Sequence, residues 1–417
     1  MPVEAAAHMG AHGIESVMSG SAQACRSHAT ARGAVLLSGG TGFIGTLIAA
    51  VLLGREHRRV VALVREGWQA SDLVAQILPE LGHDASLREQ AEIFGRLTML
   101  PMPATHELSE HARELSRLGI TEIVHCAGSM DYFNSAELEQ TNVLLTDGML
   151  ELARALHVER FVHLSTAYSS GYIEGPVGEC LHGEPASDPT EYTRTKRAAE
   201  RRVAESGVPY LIVRPSVVIG DSRTGRYSGK QTGLFQYWRG WERLLLDHYR
   251  PEIHMVAPRV PVNFVHQDAL QNAFQAAYRQ LKPGTIINLV SDPAKAPTVR
   301  ALSDMWLTAL GARTRRHYYG RLGDVPLDRI PPRQRAFLML ASVNMEISAH
   351  HWDFENSTMT RLKRDGLDFA DATLETMAIS QARFMDESPR LRAARARPTA
   401  GGATASARRH VEQNLVA

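Results

Sequence analysis

A tyrosine and a lysine four residues apart are the pair most suggestive of chemistry. Tyr192 and Lys196 lie in the segment YTRTK, inside a stretch (189–205) with a helical pattern. Residues four apart share one face of a helix, so the ammonium would lie near the phenol. A nearby cation favours phenolate and lowers the tyrosine pKa, which would make Tyr192 a usable proton donor at working pH.

Two hydroxyl residues end a strand-like segment further upstream. Ser165 closes RFVHLS (160–165), and Thr166 follows it, 26 residues before Tyr192. The carboxyl end of a strand in a doubly wound sheet faces the ligand crevice. A strand-end or helix-capping hydroxyl would give the same residues. Their order and spacing relative to Tyr192 favour a catalytic role for Thr166, with Ser165 as the alternative.

A glycine-rich turn follows the first strand-like segment, AVLLS (34–38), and leads into an apolar helix. Glycines spaced three apart allow a tight turn and a close approach of the backbone to a pyrophosphate, while the free N–H groups at the helix start bind phosphates. The turn predicts a dinucleotide-binding site. Its predicted cofactor-binding residues are Gly39, Thr41, Gly42, Phe43, Ile44 and Gly45.

The residue after the second strand predicts which dinucleotide binds. VVALV (60–64) ends at Arg65 and Glu66. An acidic side chain there would bond the ribose 2′-hydroxyl of NAD, whereas a guanidinium can hold the 2′-phosphate of NADP with two hydrogen bonds. A surface arginine is the alternative. Arg65 favours NADPH as the cofactor.

The elements that would position these residues alternate between short apolar runs and amphipathic segments, which predicts an α/β fold: a Rossmann doubly wound parallel sheet. After residue 215 the rhythm changes, and residues 298–386 have a mainly helical pattern. We expect a disordered N-terminal tail (1–32), an NADP-binding Rossmann domain (33–220) and a smaller, mainly helical substrate-binding part (221–387). Segments of that part (261–292) should return to the sheet. A disordered, arginine-rich tail (388–417) should follow.

Composition excludes several classes of protein. Lysine plus arginine (46) nearly equals aspartate plus glutamate (45), so no global field favours nucleic acid. The three cysteines are too scattered for a disulfide framework, and the histidines lack zinc-site spacing, so we expect no metal and a reducing compartment, the cytoplasm. The longest near-apolar run (47–53) is far too short for an integral membrane segment. Oligomeric state is not predicted.

The motifs GGTGFIG, HCAG, TNV, STAY, YTRTK and VRPS together resemble those of the extended short-chain dehydrogenases/reductases across residues 33–220. LVRE, FVHLSTAY, RPSVVIG and NFVHQDAL are most similar to fatty acyl-CoA reductases and to the thioester reductase domains of peptide and polyketide synthetases. The resemblance implies that Thr166, Tyr192 and Lys196 are catalytic. It adds further cofactor-binding residues: Ala127, Asn142, Ser165, Pro215 and Ser216.

This resemblance implies NADPH-dependent reduction of an acyl thioester, on CoA or an acyl-carrier protein, to the aldehyde, with further reduction to the alcohol left open. The alternatives are a reductase, dehydrogenase or epimerase acting on a ketone, alcohol or nucleotide sugar, and a non-catalytic NADP-sensing protein. Basic segments (223–243 and 313–335) would hold phosphates of CoA or a carrier, or form a solvated face. Phe235, Trp238, Trp241 and residues 244–246 would line an acyl tunnel or pack in a core.

Overall fold

The computed structural model of the protein describes residues 33–230, 233–245, 252–310 and 314–396. The predicted N-terminal tail and residues 397–417 of the predicted C-terminal tail lie outside these ranges. The described chain divides into two compact units. The first comprises residues 33–216, 270–289 and 355–369, and the second comprises the described residues of 217–269, 290–354 and 370–396.

The described residues form eleven strands. In chain order they are β1 (Ala34–Ser38), β2 (Val60–Val64), β3 (Leu97–Pro101), β4 (Ile120–His125), β5 (Arg160–Leu164), β6 (Tyr210–Pro215), β7 (Val217–Ile219), β8 (Glu252–Val256), β9 (Phe264–His266), β10 (Thr285–Leu289) and β11 (Arg315–Tyr319).

The same ranges form fifteen α-helices. They are α1 (Phe43–Ala50), α2 (Ala70–Ile77), α3 (Leu87–Arg96), α4 (Ala112–Ser116), α5 (Ser135–Leu138), α6 (Leu145–Ala155), α7 (Glu191–Glu205), α8 (Leu234–Gly240), α9 (Gln267–Gln280), α10 (Val299–Ala309), α11 (Pro332–Leu340), α12 (Ser342–Ala349), α13 (Ser357–Arg364), α14 (Leu374–Glu387) and α15 (Pro389–Ala396). Three π-helical turns extend or precede helices: Val51–Arg55, Glu139–Leu144 and Trp241–Leu245.

Seven parallel strands form the centre of the first unit, in the order β10-β6-β5-β4-β1-β2-β3. Every residue of β1 and β2 is buried, because helices cover both faces of a parallel sheet. The edge strand β3 is half-exposed instead. The strand order reverses between β1 and β4, where ligands bind in sheets of this kind. The predicted Rossmann fold is confirmed.

The second unit holds two small parallel sheets, β7 with β9 and β8 with β11. Residues 261–292 were expected to return to the large sheet. Of the two strands in this range, β10 joins that sheet, whereas β9 pairs with β7 instead. β11 lies within the stretch predicted to be mainly helical. Its residues, Arg315–Tyr319, lack a continuous apolar run and are stabilised by pairing with β8.

The predicted C-terminal tail begins too early, since residues 389–396 form helix α15. Ser388 donates a hydrogen bond from Oγ to Glu242 over 2.5 Å, and Leu391 is fully buried. These contacts hold residues 389–396 in a folded helix, although their arginine-rich composition predicts a disordered tail. None of the helices in the described ranges has both the length and the apolar character needed to cross a membrane.

Candidate active site

The glycine turn connects β1 to α1, and two of its glycines leave no room for a side chain. Gly39 has a φ of +72°, and a Cβ there would lie 2.5 Å from the backbone nitrogen of Ala127, at the end of β4. A Cβ on Gly45 would lie 2.0 Å from the carbonyl oxygen of Gly39. Larger residues at these two positions would therefore force the turn open. Glycine is therefore required here by close packing of the chain's own backbone, and the predicted close approach to a pyrophosphate stays a prediction.

The first turn of α1 carries no acidic side chain that would repel an anion. Gly42 caps the helix without a side-chain hydrogen bond. Thr46 donates a hydrogen bond to the Gly42 carbonyl over 2.9 Å, which fixes the helix start. Backbone N–H groups left free at a helix N-terminus bind phosphate oxygens. The predicted binding residues Thr41, Phe43 and Ile44 lie in this same turn.

Arg65 is exposed and follows directly on β2. Because β2 pairs with β1 in parallel register, with Leu63 opposite Ser38, the carboxyl ends of both strands lie side by side. Arg65 and the glycine turn therefore occupy the same edge of the sheet. That edge is where the adenosine ribose of a dinucleotide would lie.

The three predicted catalytic residues come together in the first unit. Tyr192 lies in the first turn of α7, and Thr166, which follows β5, is the side chain placed to hydrogen-bond its hydroxyl and partly offset the effect of burial on its pKa. Lys196 lies one turn later and is buried. Its Nζ donates to the carbonyl oxygen of Leu164 over 2.7 Å and lies 3.5 Å from His163 Nε2.

The protonation of this group differs from the sequence prediction. Burial raises the pKa of Tyr192 above its usual value, where the sequence predicted that Lys196 would lower it. The ammonium bonds the end of β5 rather than the phenol. Burial also lowers the pKa of Lys196 to about 8, against a partial rise from Glu200. Tyr192 is therefore protonated throughout the physiological range, as a proton donor must be.

Asn142 joins α7 to the loop after β4. It lies fully buried in the π-helical turn Glu139–Leu144. Its amide donates to the carbonyl of Ser129 over 3.1 Å and to Thr195 Oγ1 over 3.0 Å, and its Oδ1 accepts from the Ser129 N–H over 2.8 Å. In these contacts the predicted cofactor-binding asparagine acts as a structural link.

The remaining predicted residues lie at the ends of β5 and β6. Ser165 is buried, and its Oγ has no hydrogen-bond partner among the described residues. A buried hydroxyl without a partner is costly, and a ligand could satisfy it. Pro215 ends β6, and the hydroxyl of the next residue, Ser216, is hydrogen-bonded to Tyr168.

Sequence reasoning missed two groups beside Lys196 and Tyr192. His163 is fully buried and stacks on His125 with ring centroids 5.5 Å apart. The ring of Tyr132, from the loop after β4, lies 6.0 Å from the ring of Tyr192. The alternation of RFVHL, which points His163 toward the layer of α7, was the available signal for the histidine. Nothing in the loop sequence identified Tyr132.

Together these residues fit a nicotinamide dinucleotide. The glycine turn would suit a pyrophosphate, Arg65 would lie at the adenosine end, and Ser165 with Lys196 would offer polar groups near the nicotinamide. A family comparison agrees with this geometry: the model of the male sterility protein family matches residues 37–269, more than half of the chain. The chain belongs to this family.

Curated proteins similar to this chain include a reductase subunit and a dehydrogenase. The chain is 29% identical over 274 residues to the L-2-aminoadipate reductase large subunit of Eremothecium gossypii, covering 58% of this chain and 19% of that protein. It is 32% identical over 204 residues to a dTDP-6-deoxy-L-talose 4-dehydrogenase (NAD(P)(+)) of Kitasatospora kifunensis, covering 47% of this chain and 56% of that protein. The chain thus spans only part of these relatives' length.

A solved structure shares the fold. The terminal R domain from the myxalamid PKS-NRPS biosynthetic pathway superposes with a TM-score of 0.68 at 19% identity, covering 85% of this chain and 91% of that domain. With the male sterility family match, this confirms the resemblance predicted from the sequence: the chain has the extended short-chain fold with a NAD(P)-binding Rossmann unit.

The aromatic residues predicted to line a tunnel or a core lie in the core of the second unit. Phe235, Trp238 and Trp241 are buried, and Trp238 stacks on Trp306 with centroids 5.4 Å apart. The side chains of residues 245 and 246 lie outside the described part. This packing supports the core interpretation of the three aromatic residues.

Several arginines of the predicted basic segments are paired with acidic side chains. Arg239 lies 2.6 Å from Glu242, and Arg321 lies 3.2 Å from Asp324. Arg316 pairs with Asp304. Arg313 lies outside the described residues. These pairings reduce the charge available to hold phosphates and favour the solvated-face interpretation.

Three potential metal ligands lie together in the second unit, although the sequence predicted no metal site. Glu252, His254 and His317 place one ligand atom each within 4.8 Å of the others. The two imidazoles stack face to face, with centroids 4.5 Å apart and planes 8° apart. In-plane lone pairs of parallel rings run side by side rather than converging on one ion, so we assign no metal here.

Proposed function

We propose that this protein is an NADPH-dependent reductase of acyl thioesters, carried on CoA or on an acyl-carrier protein, with the aldehyde as first product. The observation that carries the proposal is the assembly of Thr166, Tyr192 and Lys196 at the end of β5 in a male sterility family chain. The likeness to an aminoadipate reductase and to a synthetase reductase domain supports the substrate class.

The side chains divide the chemistry among them. When bound, the nicotinamide supplies the hydride to the thioester carbonyl carbon. Tyr192, which burial keeps protonated, donates to the carbonyl oxygen as negative charge develops there, and Thr166 is placed to add a second hydrogen bond. Lys196 supplies positive charge beside the cofactor ribose in this proposal.

The thiol leaves in a second step that needs no further electrons. Hydride addition and proton donation by Tyr192 give a hemithioacetal. Its carbon–sulfur bond then breaks, its hydroxyl loses a proton, and the thiolate gains one. The products are one aldehyde and one thiol per NADPH oxidised. A second hydride transfer to the aldehyde would give the alcohol.

The choice of NADPH depends on Arg65. Its place directly after β2, beside the glycine turn, suits a 2′-phosphate, and the acidic Glu66 comes one position further along the chain. A guanidinium forms two parallel hydrogen bonds with a phosphate. Preference for NADPH over NADH is therefore part of the proposal.

A second candidate is a dehydrogenase, reductase or epimerase acting on a ketone, an alcohol or a nucleotide sugar. The 32% identity to the talose dehydrogenase favours it. The catalytic residues alone do not separate the two, because a ketone and a thioester need the same proton donor and hydride geometry. Release of a thiol does.

The deciding experiment supplies the purified protein with NADPH and a panel of acyl-CoA and carrier-bound thioesters, alongside ketones and nucleotide sugars. We expect thiol and aldehyde to appear in equal amounts with thioesters, and Tyr192→Phe to slow the formation of both by about 10² to 10⁴. NADPH oxidation with ketones or sugars, and no thiol from any thioester, would transfer the assignment to the second candidate.

A further inference from the structure

The loop after β4 exposes large apolar side chains beside the catalytic tyrosine. Phe133 is 93% exposed and Met130 is 57% exposed, although both are large hydrophobic residues. Tyr132, between them, is 37% exposed. Single exposed apolar residues are ordinary on protein surfaces, but three within four positions form a patch that calls for a partner.

The backbone of this loop is held firmly in place. Ser129 is fixed at its N–H and its carbonyl by Asn142, over 2.8 and 3.1 Å. Ser129 Oγ donates to Glu137 over 2.9 Å and accepts from the N–H of Asp131 over 3.2 Å. The Phe133 N–H donates to Asp131 Oδ1 over 3.1 Å. The apolar side chains are thus presented from an organised turn, which lowers the entropy cost of binding a partner.

The loop is tied to the catalytic helix at two points. The ring of Tyr132 lies 6.0 Å from the ring of Tyr192, centroid to centroid. Asn142, which fixes Ser129, also donates to Thr195, three residues after Tyr192. A substrate whose carbonyl oxygen accepts from the Tyr192 hydroxyl would therefore have Tyr132 of this loop near its reacting end.

From this placement we infer that Met130, Tyr132 and Phe133 form the contact surface for the apolar acyl chain of the substrate. The inference rests on the proposed function, because it concerns the substrate of the same site. The nicotinamide, ribose and phosphates are polar and have their own residues on the glycine turn and β5. The hydrocarbon chain is the part of an acyl thioester whose burial against methionine and phenylalanine side chains would contribute binding free energy.

Chain-length dependence tests this surface. Saturated acyl-CoA esters from four to twelve carbons are compared by kcat/KM with the unmodified protein and with the double variant Met130→Ser/Phe133→Ser. Each methylene buried against the loop should raise kcat/KM by up to about fourfold. The double variant should lose at least about tenfold with the twelve-carbon ester and change little with the four-carbon ester. Exposed side chains are replaced, so folding should persist, and thermal unfolding checks this.

A matched control replaces another highly exposed apolar residue that lies far from the loop after β4, both along the chain and across the large sheet. Leu87, on α3, is 84% exposed. Leu87→Ser should leave the chain-length series unchanged. A double variant that keeps the unmodified chain-length slope, or that loses the same factor at every length, would overturn the acyl-chain surface. Absence of thiol release by the unmodified protein from every ester would overturn the proposed function instead.

Discussion

Removal of the Tyr192 hydroxyl should reduce turnover and leave cofactor binding almost unchanged. Tyr192→Phe keeps the ring that packs near Tyr132 and removes only the proposed proton donor. We expect kcat to fall by about 10² to 10⁴, because general-acid donation is lost, while NADPH affinity is preserved. Steady-state kinetics and a cofactor fluorescence titration measure the two effects. Tyr210→Phe, at the start of β6, should change neither; near-normal turnover of Tyr192→Phe would refute the role.

Arg65 should act on one cofactor only. Arg65→Ala removes a charge-assisted contact to the 2′-phosphate, so the Michaelis constant for NADPH should rise at least about tenfold, equivalent to roughly 1.4 kcal/mol. NADH lacks that phosphate, and its kinetics should barely change. Arg59, exposed at the opposite end of β2, offers the control Arg59→Ala. Equal use of NADPH and NADH by the unmodified protein would contradict the assignment.

Among the elements, the turn into α1 has the least tolerance. In Gly45→Ala the new methyl group would lie 2.0 Å from the Gly39 carbonyl oxygen, so the turn must shift. We expect weaker NADPH binding and a loss of about 1–3 kcal/mol in unfolding free energy, the usual cost of overpacking.

A second helical glycine supplies the comparison. Gly95, in α3, has open space where a Cβ would be. Gly95→Ala should stabilise the protein by up to about 1 kcal/mol, since alanine has the higher helix propensity. Denaturant unfolding with cofactor titration compares the two variants. Equal behaviour of the two would show that the turn is not constrained as its geometry indicates.

The strands nearest the proposed cofactor site, β1 and β2, were also the most predictable from the sequence. The apolar runs AVLLS and VVALV coincide with β1 and β2, because a strand buried on both faces has no polar position to blur its pattern. β11, RRHYY, was missed because its pairing with β8 is non-local and its residues are polar or aromatic. The π-helical turn that holds Asn142 leaves no compositional signal either.

At the catalytic centre, spacing identified residues but not their contacts. The interval from Tyr192 to Lys196 correctly placed both on one helix, yet the ammonium bonds Leu164 at the end of β5. Which backbone oxygen a buried lysine reaches depends on sheet and helix packing, which helical periodicity does not contain. The burial that raises the pKa of Tyr192 is likewise a property of the assembled unit.

For the molecule as a whole, two buried histidines make stability depend on acidity. Burial lowers the pKa of His125 to about 3, and burial with the charge of Lys196 lowers that of His163 well below 6.5. Below pH 6.5 the unfolded chain binds protons that the folded chain excludes, so stability is lost as pH falls. Each histidine should contribute about 1.4 kcal/mol per pH unit in this window, down toward the folded pKa.

Denaturant unfolding between pH 7.5 and 4.5 measures that slope. His163→Asn should make the fall shallower by about 1.4 kcal/mol per pH unit, the share of one histidine. His106→Asn, at a site where the side chain is 82% exposed, should leave the slope unchanged. Parallel slopes for the unmodified protein and His163→Asn would show that this histidine does not resist protonation in the folded state.

The interleaved order of the chain shapes how the protein can be made. β6 leaves the ribosome well before β10, its neighbour in the large sheet, because residues 217–269 of the second unit and most of α9 come between them. Until residues 285–289 emerge, the nascent sheet has an open edge along β6, and such edges recruit other chains. A fragment cut at residue 216 would contain every residue assigned above to the catalytic site. It would also retain that uncovered edge, which makes the uncut polypeptide the better unit for expression and chaperone-free refolding.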